Sequence, residues 1–593
     1  MHDRLGARSL VLLALATTMT VGACATASST GEGAINGAAP MSESAQAALA
    51  DREQTADQQV QHVLNRLAFG PRPQDVEAVR QLGVDAWMAR QLAPERIDND
   101  ATEAMLRNYR TLDYTADRLL AEFPPPNVAL AAAARRSNGP VSTEDSIALR
   151  KQARQAAQAL GELASSRVAR AVVSERQLEE VMVEFWTNHF NVFVGKNLVR
   201  YYLHDFDRTV RQHAMGDFRA LLGAVAKSPA MLTYLDNWQS VADSGRPTLQ
   251  QLPPRASARR AQALRRAAAQ RRATPQQMER VQQLQQRRRG LNENYARELM
   301  ELHTLGVDGG YTQQDVVEVA RALTGWTLER GAQGGSFVFR PQTHDAGAKT
   351  ILGVKFPAGR GLEEGEAVLD LLARHPKTAE FIATKLARRF VSDSPPPALV
   401  ARAASTFRRT NGDIRETVRT IVTSAEFFSA DAYRAKVKSP FELVVSTLRA
   451  MQAPADATAR SAQLVARLGQ PIYGHQAPNG YPDTGEAWMN TGAILNRINF
   501  GITVAADRMP GVRLARWPAY DSLRSLDRAA QVDGVIRTLL GGAASNETRE
   551  VLMSGTNPLL TGRGGMAADG QPSPAGLAQI VGLALGAPEF QRR

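Results

Sequence analysis

Four side chains of this 593-residue chain are of types that hold a metal ion, and helical spacing turns two of them inward. His189 follows Leu178, Val181, Met182 and Phe185, and a helix turning about 100° per residue puts it on their apolar face. His303 projects to the same side of a second helix as Tyr295, Leu299 and Leu302. A buried imidazole needs a hydrogen-bond partner or a metal. Each is therefore either a core histidine satisfied by a neighbour, or part of a site in which both converge with His344 and Asp345 on a divalent cation. Imidazole plus carboxylate suits zinc or iron. No local spacing such as HExxH marks such a site.

Carboxylates supply the other chemistry. Glu298 and Glu301 share a polar helix face with Asn294 and Arg297, either as an acid–base pair or as a solvated face with a weak Arg297–Glu301 ion pair four residues apart. The stretch from Pro478 to Trp488 carries Gly480 and Pro482, which make it a loop. It holds Tyr481 and Trp488 near Asp483 and Glu486, a set that can stack on a sugar ring and hydrogen-bond its hydroxyls. Two carboxyls also support glycoside hydrolysis when suitably separated. Glu298 and Asp483 are thus candidate catalytic groups, and Tyr481, Glu486 and Trp488 candidate substrate contacts. The competing account is a proline-rich loop pinned by a buried tryptophan. No GxSxG, P-loop or GxGxxG stands between a strand and a helix, which disfavours hydrolase elbows, NTPases and dinucleotide enzymes.

Helices must position these groups. The spacing predicts them over 56–68, 73–91, 143–191, 217–228, 291–305, 312–323, 363–372, 378–391, 414–424 and 440–450. Thr312 and Asp315 form a variant capping box opening one of them. The exception is a strand-like pair of runs, 336–340 and 350–356, expected as one small hairpin whose loop holds His344, Asp345 and Lys349. The fold class is all-α, one large multi-helix body over 55–593 with that hairpin near 335–356.

Composition narrows the setting. With 44% apolar and 22% charged residues the chain is ordinary globular material, and its one cysteine excludes a disulfide framework and cysteine-based zinc clusters. Residues 1–23 read as an export signal, a charged stub and an apolar run too short to span a bilayer. The residues VGAC make Cys24 a lipidation site, with ordinary signal cleavage near Ala25 as the alternative. Residues 24–54 then form a flexible tether to a membrane surface. Ala25 after Cys24 points to the outer membrane of a Gram-negative bacterium.

The net charge of +12 suggests nucleic acid, but its placement argues otherwise. Twelve arginines against Asp243 and Glu279 give residues 240–290 a charge of +10, and no Phe, Trp or Tyr is present there for base stacking. This is a low-complexity insertion, either facing an anionic envelope surface or simply solvated. No nucleic-acid partner is expected.

Several phrases occur in a recognisable order: NHFNVFVGK (188–196), AMLTYLDN (230–237), LNENYARELMELHTLGVDGGYTQQDV (291–316), ARALTGW (320–326), HDAGAKTILG (344–353), HPKTAEFIATKLARRFV (375–391), KVKSPFELV (436–444) and NGYPDTGEAW (479–488). Together they resemble the bacterial domain-of-unknown-function family 1800, from about Val60 to the C-terminal GAPEFQRR. The resemblance implies an exported, largely helical protein without an established activity. It also implies a possible partner, since members are often encoded beside an exported protein with a phosphatase- or sulfatase-like fold. The basic insertion falls between two family phrases, as a variable excursion would. The expected function is an envelope-anchored lipoprotein that binds or processes a polysaccharide-like polymer, with or without a metal. The rival is a non-catalytic scaffold for an exported partner.

Overall fold

The computed structural model describes residues 52–126, 128–130, 142–250, 290–329, 335–454, 460–509, 511–556 and 575–593. The expected signal, Cys24 and nearly all of the tether lie outside the described residues, as does 251–289 of the insertion. Residues 52–54, read as tether, are docked on the body: Arg52 pairs with Asp85, and buried Gln54 donates to the Ser429 carbonyl at 2.9 Å. The first residues of the insertion also belong to the body. Ser240 is buried, and the Ala346 N–H donates to the Pro247 carbonyl at 2.9 Å.

The body is all-α. Its helices include α1 (Ala56–Arg66), α2 (Thr143–Val173), α3 (Gln177–His189), α4 (Val199–His213), α5 (Glu293–Met300), α6 (Gln313–Ala322), α7 (Leu362–Ala373), α8 (Pro376–Phe390), α9 (Pro440–Ala450), α10 (Thr491–Ala505) and α11 (Gly576–Gly586). No helix of the described residues is long and apolar enough to cross a membrane. Amphipathic pattern set these helices, and capping set their ends. Thr55 and Ser439 accept from the third residue of α1 and α9, whose Gln58 and Glu442 reach back to the cap N–H. The expected box at Thr312 and Asp315 is present. Asp315 has a second duty, accepting the Leu352 N–H at 2.7 Å.

Two long expected helices are broken, each for a local reason. The run 73–91 ends at Gly83, whose φ of +86° no helix accommodates, and restarts at Val84. The run 143–191 breaks after Val173, where Ser174 Oγ and the Glu175 N–H both bond to Asn99 Oδ1. Beyond Met300, α5 widens into one π-turn, Glu301–Leu305, in which Thr304 Oγ1 donates to the Leu299 carbonyl.

α9 is buried at every position, and its two charged side chains are paired there, Glu442 with Arg389 and Arg449 with Asp75. α10 and α11 pack backbone to backbone: a Cβ on Gly501 would lie 2.5 Å from the Gly582 carbonyl oxygen. The strands differ from expectation in partnering. β2 (Phe337–Phe339) pairs antiparallel with β1 (Trp326–Leu328), not with the later run. β3 (Lys349–Ile351) and β4 (Val354–Phe356) make a separate hairpin. Leu352 and Gly353, both at positive φ, supply the tight two-residue turn that folds 350–356 back on itself.

A charged cleft beside an aromatic loop

The loop after Gln470 lies against the end of α3, held by two asparagines. Asn188 Oδ1 accepts the Tyr481 N–H at 2.7 Å, and its Nδ2 donates to the Tyr481 carbonyl at 2.9 Å. Asn191 Nδ2 donates to the carbonyls of His475 and Ala477 at 3.0 and 2.7 Å. The Tyr234 hydroxyl donates to the Gln476 carbonyl. Phrases distant in sequence are therefore one structure: NHFN is the clamp and NGYP the clamped loop.

The clamp presents an aromatic row. The His475 and Tyr481 rings lie 4.7 Å apart, and those of Tyr481 and Trp488 6.0 Å apart. All three are half-exposed, so Trp488 is not the buried pin of the competing account. Its Nε1 reaches the Pro482 carbonyl at 3.3 Å, which fixes the ring without covering it.

Beside Tyr481 and Trp488 is a cavity of about 60 Å³, which both rings help to line together with three cations, Arg389, Lys436 and Arg593, and three carboxylates, Glu184, Glu442 and Asp483. α8 places Lys385 and Arg389 one turn apart on one face. Lys385 Nζ binds Asp483 at 2.7 Å, while Arg389 binds Glu442. Lys436 binds Asp393 and donates to the Asp483 carbonyl at 2.8 Å. Arg593 Nε faces Glu442 at 3.0 Å. Burial, with Arg593 and Arg66 beside it, drives the Lys436 ammonium down to about 8.

The candidate residues fall into separate places. Tyr481, Asp483 and Trp488 meet around the cavity; Glu486 is exposed and outside its lining. Asp483 is tied to Lys385 as a structural ion pair, not poised as a free acid. Glu298, on α5, shares no hydrogen bond with it. Burial and Glu301 raise the Glu298 carboxyl, and Arg297 donates to Gln313 at 2.6 Å instead of pairing with Glu301.

The four-ligand metal centre is not assembled. Among the described residues no group of three or more histidine, cysteine or acidic side chains is placed to hold a metal. His189 and His303 do meet, ring centres 6.3 Å apart, but His189 Nε2 lies 3.2 Å from the His303 carbonyl oxygen and donates to it. His344 and Asp345 belong to another buried cluster. His344 Nδ1 bonds the Thr324 carbonyl at 2.8 Å, its Nε2 lies 3.2 Å from Glu364, and Asp345 is held by Arg321. A main-chain oxygen takes His189 Nε2, while His189 Nδ1 and His303 Nε2 are buried without a hydrogen-bond partner, and no third histidine, cysteine or acidic group among the described residues joins them.

Burial drives His189 well below its ordinary value, with Lys385 adding to the shift, and burial takes His303 down to about 3. Both rings are neutral in the folded protein, whereas the unfolded chain takes up protons below about pH 6.5. Their stabilisation is thus complete above that pH and withdrawn as pH falls, by up to about 1.4 kcal/mol per pH unit per ring. His303→Leu is expected to flatten the loss of unfolding free energy between pH 7.5 and 5 by roughly 2 kcal/mol, read from urea midpoints. A loss as steep as the parent's would mean that His303 is already charged when folded.

The cleft's central residues were not singled out from sequence. Arg389, Lys436 and Glu442 lie within the phrases ARRFV and KVKSPFELV. The available signal was two lysines set directly before a Ser-Pro helix start, where solvated lysines have no reason to alternate with Val437. Asn188 and Asn191 flank His189 and were passed over for it.

No curated protein and no solved structure matches the chain. One family does, described as a protein of unknown function (DUF1800), over residues 62–592, nearly the whole described body. The chain belongs to the DUF1800 family.

Proposed function

We propose that this protein is an envelope-anchored lipoprotein, tethered to a membrane through Cys24, that binds a polysaccharide-like polymer on the His475–Tyr481–Trp488 row. The observation that carries this reading is that two large aromatic rings are left half-exposed on a loop held by six hydrogen bonds. Rings of this kind offer a wide apolar face at little conformational cost, with polar edges for hydroxyls. Binding is preferred to processing because Glu298 and Asp483 do not share a site and Asp483 is ion-paired.

Trp488→Ala is expected to weaken binding of alginate or dextran oligosaccharides at least tenfold, measured by calorimetry, while Trp488→Phe retains most of it. If neither oligosaccharide class binds the parent protein, the reading fails. The rival scaffold role would then gain, tested by co-purifying the lipidated form with its exported partners.

A further inference from the structure

Val437 lines both the charged cleft and a second cavity, of about 560 Å³. Trp488 lines the first and Met489 the second. These two residues are consecutive, with Cα atoms about 3.8 Å apart, so the larger cavity adjoins the end of the aromatic row. Its volume falls within the roughly 300–1,000 Å³ of small-molecule sites.

The walls are hydrocarbon. α10 contributes Ile494 and Ile498, one turn apart on one face, and the helix Asn546–Ser554 contributes Val551 and Leu552. Leu583 of α11 completes them. Ile498, Leu552 and Leu583 are buried, but Ile494 and Val551 are only half-buried and Met489 is 37% exposed. Apolar side chains from three helices thus converge on a space that none of them fills.

The buried polar side chains of the lining are already engaged. Arg497 donates to Gln591 Oε1 at 2.8 Å and to the Lys438 carbonyl at 2.7 Å, and Gln591 Nε2 donates to the Leu585 carbonyl at 2.6 Å. The Thr548 hydroxyl donates to Glu589 at 3.0 Å. Glu547 and Arg592 are exposed and keep their water. A sugar ring placed against these walls would lose its hydration without gaining hydrogen bonds, whereas an alkyl or acyl chain loses nothing and gains apolar burial. The neighbouring cleft cannot take that chain, since it holds about 60 Å³ among paired charges.

We propose that the larger cavity seats the hydrocarbon chain of a lipid-bearing saccharide whose sugar part lies on Tyr481 and Trp488. This rests on the binding role proposed above and narrows its ligand from a bare polysaccharide to an acylated or lipid-linked one.

The test uses the full chain, with maltose, octyl maltoside, decyl maltoside and free decanoate compared by calorimetry below their micelle concentrations. Each buried methylene is worth roughly fourfold in affinity, so decyl maltoside is expected to bind at least tenfold more tightly than octyl maltoside, and maltose most weakly. Ile494→Gln, on the half-buried wall, is expected to remove most of the gain with chain length and leave maltose binding unchanged. Trp488→Ala is expected to weaken all three maltosides. Should Ile494→Gln fail to fold, the bromine of ω-bromodecyl maltoside in crystals of the parent is expected between Ile498, Leu552 and Leu583. Equal affinity for octyl and decyl maltoside, with no bromine in the cavity, would overturn the proposal and leave Trp488-dependent sugar binding standing. A gain with chain length that Ile494→Gln abolishes, but that Trp488→Ala leaves intact and decanoate shares, would separate the cavity from the saccharide and overturn their linkage. A parent that sediments as a dimer, with Ile494→Gln a monomer, would give the cavity to a second copy of the chain.

Discussion

Glu442→Gln is expected to destabilise the protein by about 3–5 kcal/mol, the largest single-residue effect in the cleft. Its carboxylate binds Arg389, faces Arg593 at 3.0 Å and accepts the Ser439 N–H at 2.8 Å, closing the N-terminal box of the buried helix α9. Glutamine keeps the shape and can keep one bond, but it removes the one carboxylate that serves both Arg389 and Arg593. Uncompensated buried guanidinium groups, more than the lost bonds, set the magnitude.

Acid titration gives an independent readout of the same group. Burial alone pushes the Glu442 carboxyl up, but Arg389 and Arg593 outweigh it and hold it at about 2. An unfolded glutamate titrates near 4.3, so the stabilisation is complete above that pH and lost as pH falls toward the folded value. The parent should therefore lose stability between about pH 4.3 and 2 through this residue, and the glutamine variant should lack that component. Urea unfolding at pH 7, pH 4 and pH 2.5 measures both. A change below about 1 kcal/mol at pH 7 would show that the cations are satisfied without Glu442.

Much of the scaffold was legible because period and capping are local. α9 was placed at 440–450 by its helical pattern, and α6 to within one residue at each end, with its Thr312–Asp315 box. The breaks at Gly83 and Ser174 were not, since both lie inside continuous helical patterns and depend on a backbone angle or on Asn99, about 75 residues away. The inward turn of His189 and His303 followed from spacing, and both are buried. Their convergence with His344 did not follow, because periodicity says which face a side chain takes and nothing of which helix it meets. The aromatic loop was visible as a loop. Its neighbours Arg389, Lys436, Glu442 and Arg593 come from three distant segments, and no local pattern announces a cavity assembled that way.

Gly480→Ala should abolish oligosaccharide binding while leaving the helical body folded. Gly480 has φ of +72°, a conformation that costs a residue with a Cβ about 1–3 kcal/mol. A Cβ here would also lie 2.3 Å from the Asn188 carbonyl oxygen and 2.8 Å from its Oδ1. The carbonyl belongs to the end of α3, packed in the core through Phe185 and Trp186, so the loop must yield instead of the helix. As it moves, Tyr481 leaves both bonds to Asn188 and the ring loses its place beside Trp488. Strain plus these bonds amounts to about 2–4 kcal/mol, concentrated in 475–488. Hydrogen exchange should show that segment losing protection while α3 and α9 keep theirs, with affinity for oligosaccharides falling more than tenfold. Asn188→Ala removes the bonds without the clash and should give a smaller loss of the same kind. If Gly480→Ala binds like the parent and the loop stays protected, the positioning of Tyr481 by Asn188 is not what makes the surface competent.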